Sequence, residues 1–257
     1  MALTSSAFWA TRVRASGIHL GLSLLVAAMA ATLVFFVWYP YPYREISGGR
    51  ELFVLLVSVD VILGPLITLA IFNPGKGRNK LRFDLIVVAA LQLGALAYGM
   101  WTVFAARPVH LVFEYSRFGV AHAIDVPSEL LKEAAPGLKA MPLFGPTTVS
   151  LRPFKDSNEK AEATLAALRG LALPVRADLW QPYELAIPDV LKEATPVAAL
   201  KTRFPNRAAE IDQVLSPFGA VGPSMVYLPM LGRKSYWTVF LDPVTAEIKT
   251  FMPLDSF

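Results

Sequence analysis

The chain has 257 residues, 54% of them hydrophobic and only 17% charged, with a mean hydropathy of +0.48, which is too apolar for an ordinary soluble domain and reads as a membrane protein with a substantial water-facing part. It has no cysteine, which excludes disulfide frameworks and thiolate metal sites. The net charge of +4 divides unevenly, with nine Lys/Arg against four Asp/Glu in residues 1–108 (net +5) and fifteen against sixteen in residues 109–257 (net −1), so the basic character belongs to the apolar half and implies no nucleic-acid partner.

Three apolar runs are long enough to span a bilayer as helices: residues 17–39, 52–72 and 85–106. Arg12 and Arg14 precede the first, as in a signal sequence. Ala28-Met29-Ala30 resembles a cleavage site, but apolar residues continue almost three turns beyond it, so the run reads as an uncleaved anchor. The 73–82 loop holds Lys76, Arg78, Lys80 and Arg82 with no acid, whereas the 40–51 loop balances Arg44 and Arg50 against Glu45 and Glu51. The positive-inside rule therefore puts the N-terminus and the 73–82 loop in the cytoplasm and everything after the third helix outside. Trp38, Tyr39, Tyr41, Tyr43 and Trp101 fall near the outer ends, where aromatic rings anchor at the interface.

Asp60 stands inside the second run, near mid-membrane, where a carboxylate costs about 2.5–3.5 kcal/mol on insertion scales. At helical spacing Asp60, Gly64 and Thr68 share a face. Pro65 on the same turn removes a backbone hydrogen bond and predicts a kink with a notch. Gln92, Ala95 and Gly99 form a comparable stripe in the third helix, and Gly17, Gly21, Ser23, Ala27 and Ala31 predict small-residue contacts in the first. Three uses of Asp60 are open: a hydrogen bond to Gln92 or another group inside the bundle, a docking face for a partner's helix, or a proton path. Three helices with no second mid-membrane charge argue against the last. His19 reads as interfacial, near the cytoplasmic end of the first helix.

Residues 108–257 read as a separate α+β domain, against a membrane domain over 1–107. Val109, Leu111, Phe113 and Tyr115 alternate with His110, Val112 and Glu114, the pattern of a half-buried strand. Asp156 or Ser157 caps a predicted helix carrying Ala161, Leu165, Leu168 and Ala172, and Ala208, Ile211 and Leu215 predict another. Residues 225–231, 236–241 and 247–252 read as strands, with Asp242-Pro243-Val244-Thr245 turning between the last two. Glu159, Glu162, Glu193 and Glu210 read as solvated helix faces.

No catalytic or cofactor fingerprint appears. His19, His110 and His122 lack metal-ligand spacing, and Asn73-Pro74-Gly75-Lys76-Gly77 lacks the Walker spacing and reads as a tight turn.

Several segments resemble the type IV pilin accessory proteins, or fimbrial assembly proteins, of Gram-negative bacteria. They are Trp38-Tyr39-Pro40, Gly48-Gly49-Arg50-Glu51-Leu52-Phe53, the run from Val59-Asp60-Val61 through Gly64-Pro65 to Leu69, Lys80-Leu81-Arg82-Phe83-Asp84-Leu85, Leu91-Gln92-Leu93, Tyr98-Gly99 and Arg107-Pro108-Val109. The resemblance covers most of residues 17–120. An acid often precedes Arg117-Phe118 in that family; here Ser116 stands in its place, which weakens a claim for a salt bridge there.

The resemblance implies a chaperone-like, non-enzymatic helper without cofactors in the bacterial inner membrane. Its partners are then membrane lipid and a type IV pilin subunit, whose transmembrane helix would meet Asp60, Gly64, Pro65, Thr68 and Gln92 while the periplasmic domain holds the pilin head. The alternative is a membrane-anchored periplasmic sensor or ligand-binding subunit, marked by a concave pocket with convergent polar groups. A membrane-bound hydrolase would need a paired nucleophile and base, which the sequence does not display.

Overall fold

The computed structural model describes residues 5–73 and 75–257; Pro74, inside the expected 73–77 turn, lies outside the described residues. Contacts separate two units, one of residues up to 40 with 49–105, the other of residues 41–48 with 106–257.

Among the described residues the first unit holds three helices long and apolar enough to cross a membrane: Ser6–Trp38 (33 residues), Gly49–Ile71 (23) and Arg78–Ala105 (28). The third begins about two turns ahead of its apolar run, because Arg78, Lys80 and Arg82 are themselves good helix formers. In front of it the amide of Gly75 donates to Asn73 Oδ1 at 2.9 Å, and Lys76 pairs with Asp84 at 2.5 Å.

The first two helices are not α-helical throughout. The first ends in a π-helical segment, Leu33–Trp38. The second passes through a π-helical segment, Val59–Leu63, immediately before Gly64–Ile71. The notch expected at Pro65 takes this form. Proline cannot donate and its ring crowds the preceding turn, and a widened turn ahead of it accommodates both.

The contact face of the first helix matches the expected one in part: Ala31 packs against the core of this unit and Ser23 and Ala27 are half-buried, but the two glycines make no contact. A side chain at Gly17 or Gly21 would meet nothing within 4 Å. Ala30 and Val34 are buried instead, and Arg12, Ser16 and His19 reach the second helix. At about 100° per residue the 12–16–19–23 row points away from the 17–21 row. On the third helix the expected stripe does pack: a Cβ on Gly99 would stand 2.1 Å from Leu56 Cδ1. Tyr39 is no interface anchor but a core residue, fully buried, its hydroxyl donating to the Val103 carbonyl at 3.0 Å and its ring against Gly49.

The second unit is α+β, as expected. Its strands are β1 (Pro108–Phe113), β2 (Phe118–His122), β3 (Thr147–Leu151), β4 (Trp180–Pro182), β5 (Thr195–Pro196), β6 (Val226–Leu231), β7 (Tyr236–Leu241) and β8 (Ile248–Met252). They form one mixed sheet of order β4-β3-β1-β2-β6-β7-β8, with β5 also pairing β6. β1 with β3 and β2 with β6 are parallel, and the other pairs are antiparallel.

The half-buried reading of β1 is corrected: all six residues are buried. β1 lies inside the sheet, with Leu111 and Phe113 in a core that includes Phe118, Met230 and Val239, and Val109 and Val112 in a second core with Val149, Leu179 and Trp180. His110 shares that burial because both ring nitrogens are satisfied, Nδ1 by Thr147 Oγ1 at 2.8 Å and Nε2 by the Ala140 carbonyl at 3.0 Å. A third core gathers Val197, Leu200, Ile211 and Leu215 under Phe240. Ile46, from the short helical turn Tyr43–Ile46, is fully buried in the first of these cores, and Tyr43 is buried there too rather than at an interface.

Asp156 caps the helix Ser157–Leu168 by accepting from the Glu159 amide at 2.8 Å, as its position predicts. Its apolar stripe, however, is not core: Leu165 and Leu168 are 53% and 80% exposed, and Ala163 is the buried position. Glu159 is not simply solvated, since Arg152 holds both carboxylate oxygens at 2.7 and 2.9 Å. That pairing drives its pKa down to about 2. The β7–β8 turn follows the sequence reading, with Asp242 Oδ1 accepting from the amides of Val244 and Thr245, both at 2.9 Å.

Candidate functional site

Four-residue spacing does put Gly64 and Thr68 on one buried face of the second helix, with Pro65 beside them and Asp60 one turn earlier, in the π-helical segment and half-buried. This face meets the first helix through polar contacts. Ser16 Oγ donates to the Pro65 carbonyl at 2.8 Å. His19 Nδ1 and Thr68 Oγ1 lie 2.5 Å apart. Arg12 Nε donates to the Leu69 carbonyl at 2.8 Å and Nη2 to the Ala70 carbonyl at 2.7 Å. The last carbonyls of a helix have no partner of their own, and Arg12 supplies one.

Gln92 joins from the third helix. Its amide lies over Gly64, so that a Cβ there would stand 1.9 Å from Gln92 Nε2 and 3.1 Å from His19 Nε2. The structure thus brings Gly64, Pro65, Thr68 and Gln92 together and adds His19, Ser16 and Arg12. His19, read as interfacial, has its ring bonded to Thr68 within the bundle, because residue 19 falls on the same helical row as Arg12 and Ser16. That spacing of polar residues within an apolar run was the available signal.

Asp60 is the exception. The expected hydrogen bond to Gln92 is not formed; Asp60 Oδ1 is buried and accepts no hydrogen bond. The carboxylate borders two grooves between the helices. One of about 230 Å³ includes His19, Ser23, Ala27 and Gln92. The other, of about 290 Å³, includes Leu56, Ala95, Gly99 and Thr102. Both are walled mainly by apolar or small side chains, so an entering segment would meet a carboxylate oxygen among surfaces that allow close approach.

Among the described residues no group of three or more His, Cys, Asp or Glu could hold a metal ion. In the second unit Glu114, not residue 116, supplies the acid for Arg117, with Nε and Oε1 3.1 Å apart. Burial pushes the Glu114 carboxyl up despite that partner. Burial also lowers the pKa of His110, in keeping with a neutral core residue.

The model of the fimbrial assembly protein FimB matches residues 7–48. The fimbrial assembly protein of serogroup I of Dichelobacter nodosus is 34% identical over 244 residues, 94% of this chain and 95% of that protein. This chain belongs to the fimbrial assembly protein family. The serogroup E1 protein of the same organism is 32% identical over 244 residues, 94% of this chain and 95% of its own length. That of serogroups C1 and C2 is 43% identical over 119 residues, 46% of this chain and 91% of its own. The relationship therefore runs well past residue 120, through the α+β unit, where the sequence shows few family landmarks. No solved structure matches the chain.

Proposed function

We propose that this fimbrial assembly protein is a non-enzymatic, chaperone-like helper of the inner membrane that binds a type IV pilin and promotes its incorporation into pili. In this reading the three helices span the membrane with the N-terminus in the cytoplasm, and the α+β unit faces the periplasm on the same side as a pilin head. The carrying observation is Asp60, whose Oδ1 lacks a hydrogen bond and borders the grooves between the helices. A buried acceptor left unmet costs about 1–3 kcal/mol, which a donor on the pilin helix relieves.

The test is Asp60→Leu. Surface piliation and co-purification of pilin both fall while the variant stays inserted at the wild-type level. Normal piliation and normal co-purification from a stably inserted variant would falsify the intramembrane contact. Orientation has its own test. Alkaline phosphatase fused after Phe257 is active, and activity confined to a fusion in the 73–82 loop reverses the topology.

A further inference from the structure

β2 and β6 pair at only two positions, Phe118 with Met230 and Gly119 with Leu231, after which β6 ends and β2 runs on to His122. The gap opens into a cleft of about 430 Å³ between this strand end, the 170–175 segment and the Gly232-Arg233 turn. Two of its wall residues are unusual. Glu114 has a side chain only 1% exposed, and its Oε1 lies beside Arg117 Nε without a hydrogen bond. Gly119 leaves room for that oxygen, since a Cβ there would come within 2.5 Å of it. His122 has a side chain 4% exposed, with Nδ1 3.7 Å from Asp125 Oδ2 and Nε2 without a partner.

The Asp125 carboxylate beside Nδ1 favours the proton on that nitrogen, which leaves Nε2 as an acceptor. Burial and the nearby Arg233 hold His122 neutral, with a pKa lowered to about 4. Two buried atoms of the cleft wall, Glu114 Oε1 and His122 Nε2, thus accept no hydrogen bond, while Arg117 Nη2 donates to the other Glu114 oxygen at 3.3 Å. At its rim stand Arg117 and Arg233, 41% and 38% exposed, paired with Glu114 and Asp125 and carrying further N–H groups. A lone cation entering would meet two guanidiniums, and a lone anion would meet two carboxylates. A ligand bearing both charges a few ångström apart meets neither penalty. Its ammonium donates to Glu114 Oε1 and His122 Nε2, and its carboxylate accepts from Arg117 and Arg233. The remaining wall includes Val120, Leu173, Val175 and Leu231, which suits an apolar side chain.

We propose that this cleft is a binding site for a free α-amino acid with an apolar side chain. The inference does not rest on the pilin-binding role and stands or falls separately from it.

The test uses the full chain in lipid nanodiscs, titrated calorimetrically with L-leucine, N-acetyl-L-leucine (no ammonium) and L-leucinamide (no carboxylate), while the His122 imidazole nitrogens are followed by NMR. Leucine saturates the site and shifts the His122 Nε2 resonance. Each analogue binds about tenfold or more weakly, the loss expected when a charged hydrogen-bonding group is removed. Glu114→Gln and His122→Phe weaken leucine by a similar factor. Arg233→Ala, which leaves the buried wall in place, weakens leucine but not leucinamide, so the proposal stays testable if a wall variant misfolds. A leucine titration without saturation at millimolar concentration, a His122 resonance that stays fixed, or equal binding of all three compounds overturns the proposal.

Discussion

Placing a methyl group on Gly64 tests the packing of the intramembrane site most directly. The Cβ of Gly64→Ala would stand 1.9 Å from Gln92 Nε2 and 3.0 Å from Gln92 Cδ. Relaxed contacts need about 3.5–4.0 Å, so the amide must retreat by roughly 1.5–2 Å. Forced repacking of this kind costs about 1–3 kcal/mol, while alanine regains about 0.5–1 kcal/mol over glycine inside a helix. The net expectation is a loss of about 0.5–2 kcal/mol for the single variant. Shortening the obstructing side chain should remove the clash, so Gly64→Ala combined with Gln92→Ala recovers about 1–2 kcal/mol relative to additivity, a coupling of the size seen between residues in contact. The assay is reversible unfolding of the detergent-solubilised protein by SDS, followed by far-ultraviolet circular dichroism, for wild type, both singles and the double. Additivity to within about 0.5 kcal/mol, the behaviour of sites that do not touch, would show that the Gln92 amide does not rest on Gly64.

Ile46→Ala should destabilise the α+β unit by about 2–5 kcal/mol, the cost of truncating a buried isoleucine, because Ile46 is fully exposed to neighbours and not to solvent within that core. Thermal unfolding monitored by limited proteolysis of residues 106–257 reads this, and a wild-type transition would detach the 41–48 turn from the core. His122 predicts a pH dependence. Its pKa falls from 6.5 to about 4 in the folded chain, first through burial and then through Arg233, with Asp125 opposing. Above pH 6.5 the ring is neutral folded or unfolded and costs nothing. As pH falls from about 6.5 to about 4, only the unfolded chain gains the proton, so stability drops by about 3 kcal/mol. Wild type should lose this stability relative to His122→Gln within that window, and parallel pH profiles of the two would contradict a buried neutral ring.

Hydropathy was enough to locate the three apolar helices, and four-residue spacing was enough to group Gly64 with Thr68. What spacing along one helix does not contain is the rotation of its neighbour. By sequence Gly17 and Gly21 look better suited to a helix contact than His19 does, since small residues let helix backbones approach closely. Only the facing carbonyls of Pro65, Leu69 and Ala70, the last two freed by the helix end, select the polar row. In the α+β unit the β6–β8 meander was legible because its signals are local, including the Asp242 turn. β1 was misread because His110 and Glu114 look solvent-facing; Thr147 and Ala140, distant in sequence, satisfy the His110 ring in the core. The two-position β2–β6 pairing joins residues more than a hundred apart and left no local trace.

The bundle's own bonding gives the argument about Asp60 its force. Thr68, one helical turn beyond Gly64 on the expected polar face, is taken by His19. Ser16 is committed to the Pro65 carbonyl and Arg12 to the helix end. Gln92, the partner that sequence spacing offered, lies over Gly64 instead. None of these contacts is a hydrogen bond to the carboxylate, which His19 meets only electrostatically, so a bundle with leucine at position 60 is expected to keep its hydrogen-bonded seam. Replacing a stabilising ion or hydrogen bond would weaken the helix packing, whereas replacing an acceptor that the bundle leaves unmet should leave insertion unchanged or improve it. Insertion and piliation are therefore expected to separate in Asp60→Leu. If the variant inserts poorly in the absence of any pilin, Asp60 is part of the internal framework after all.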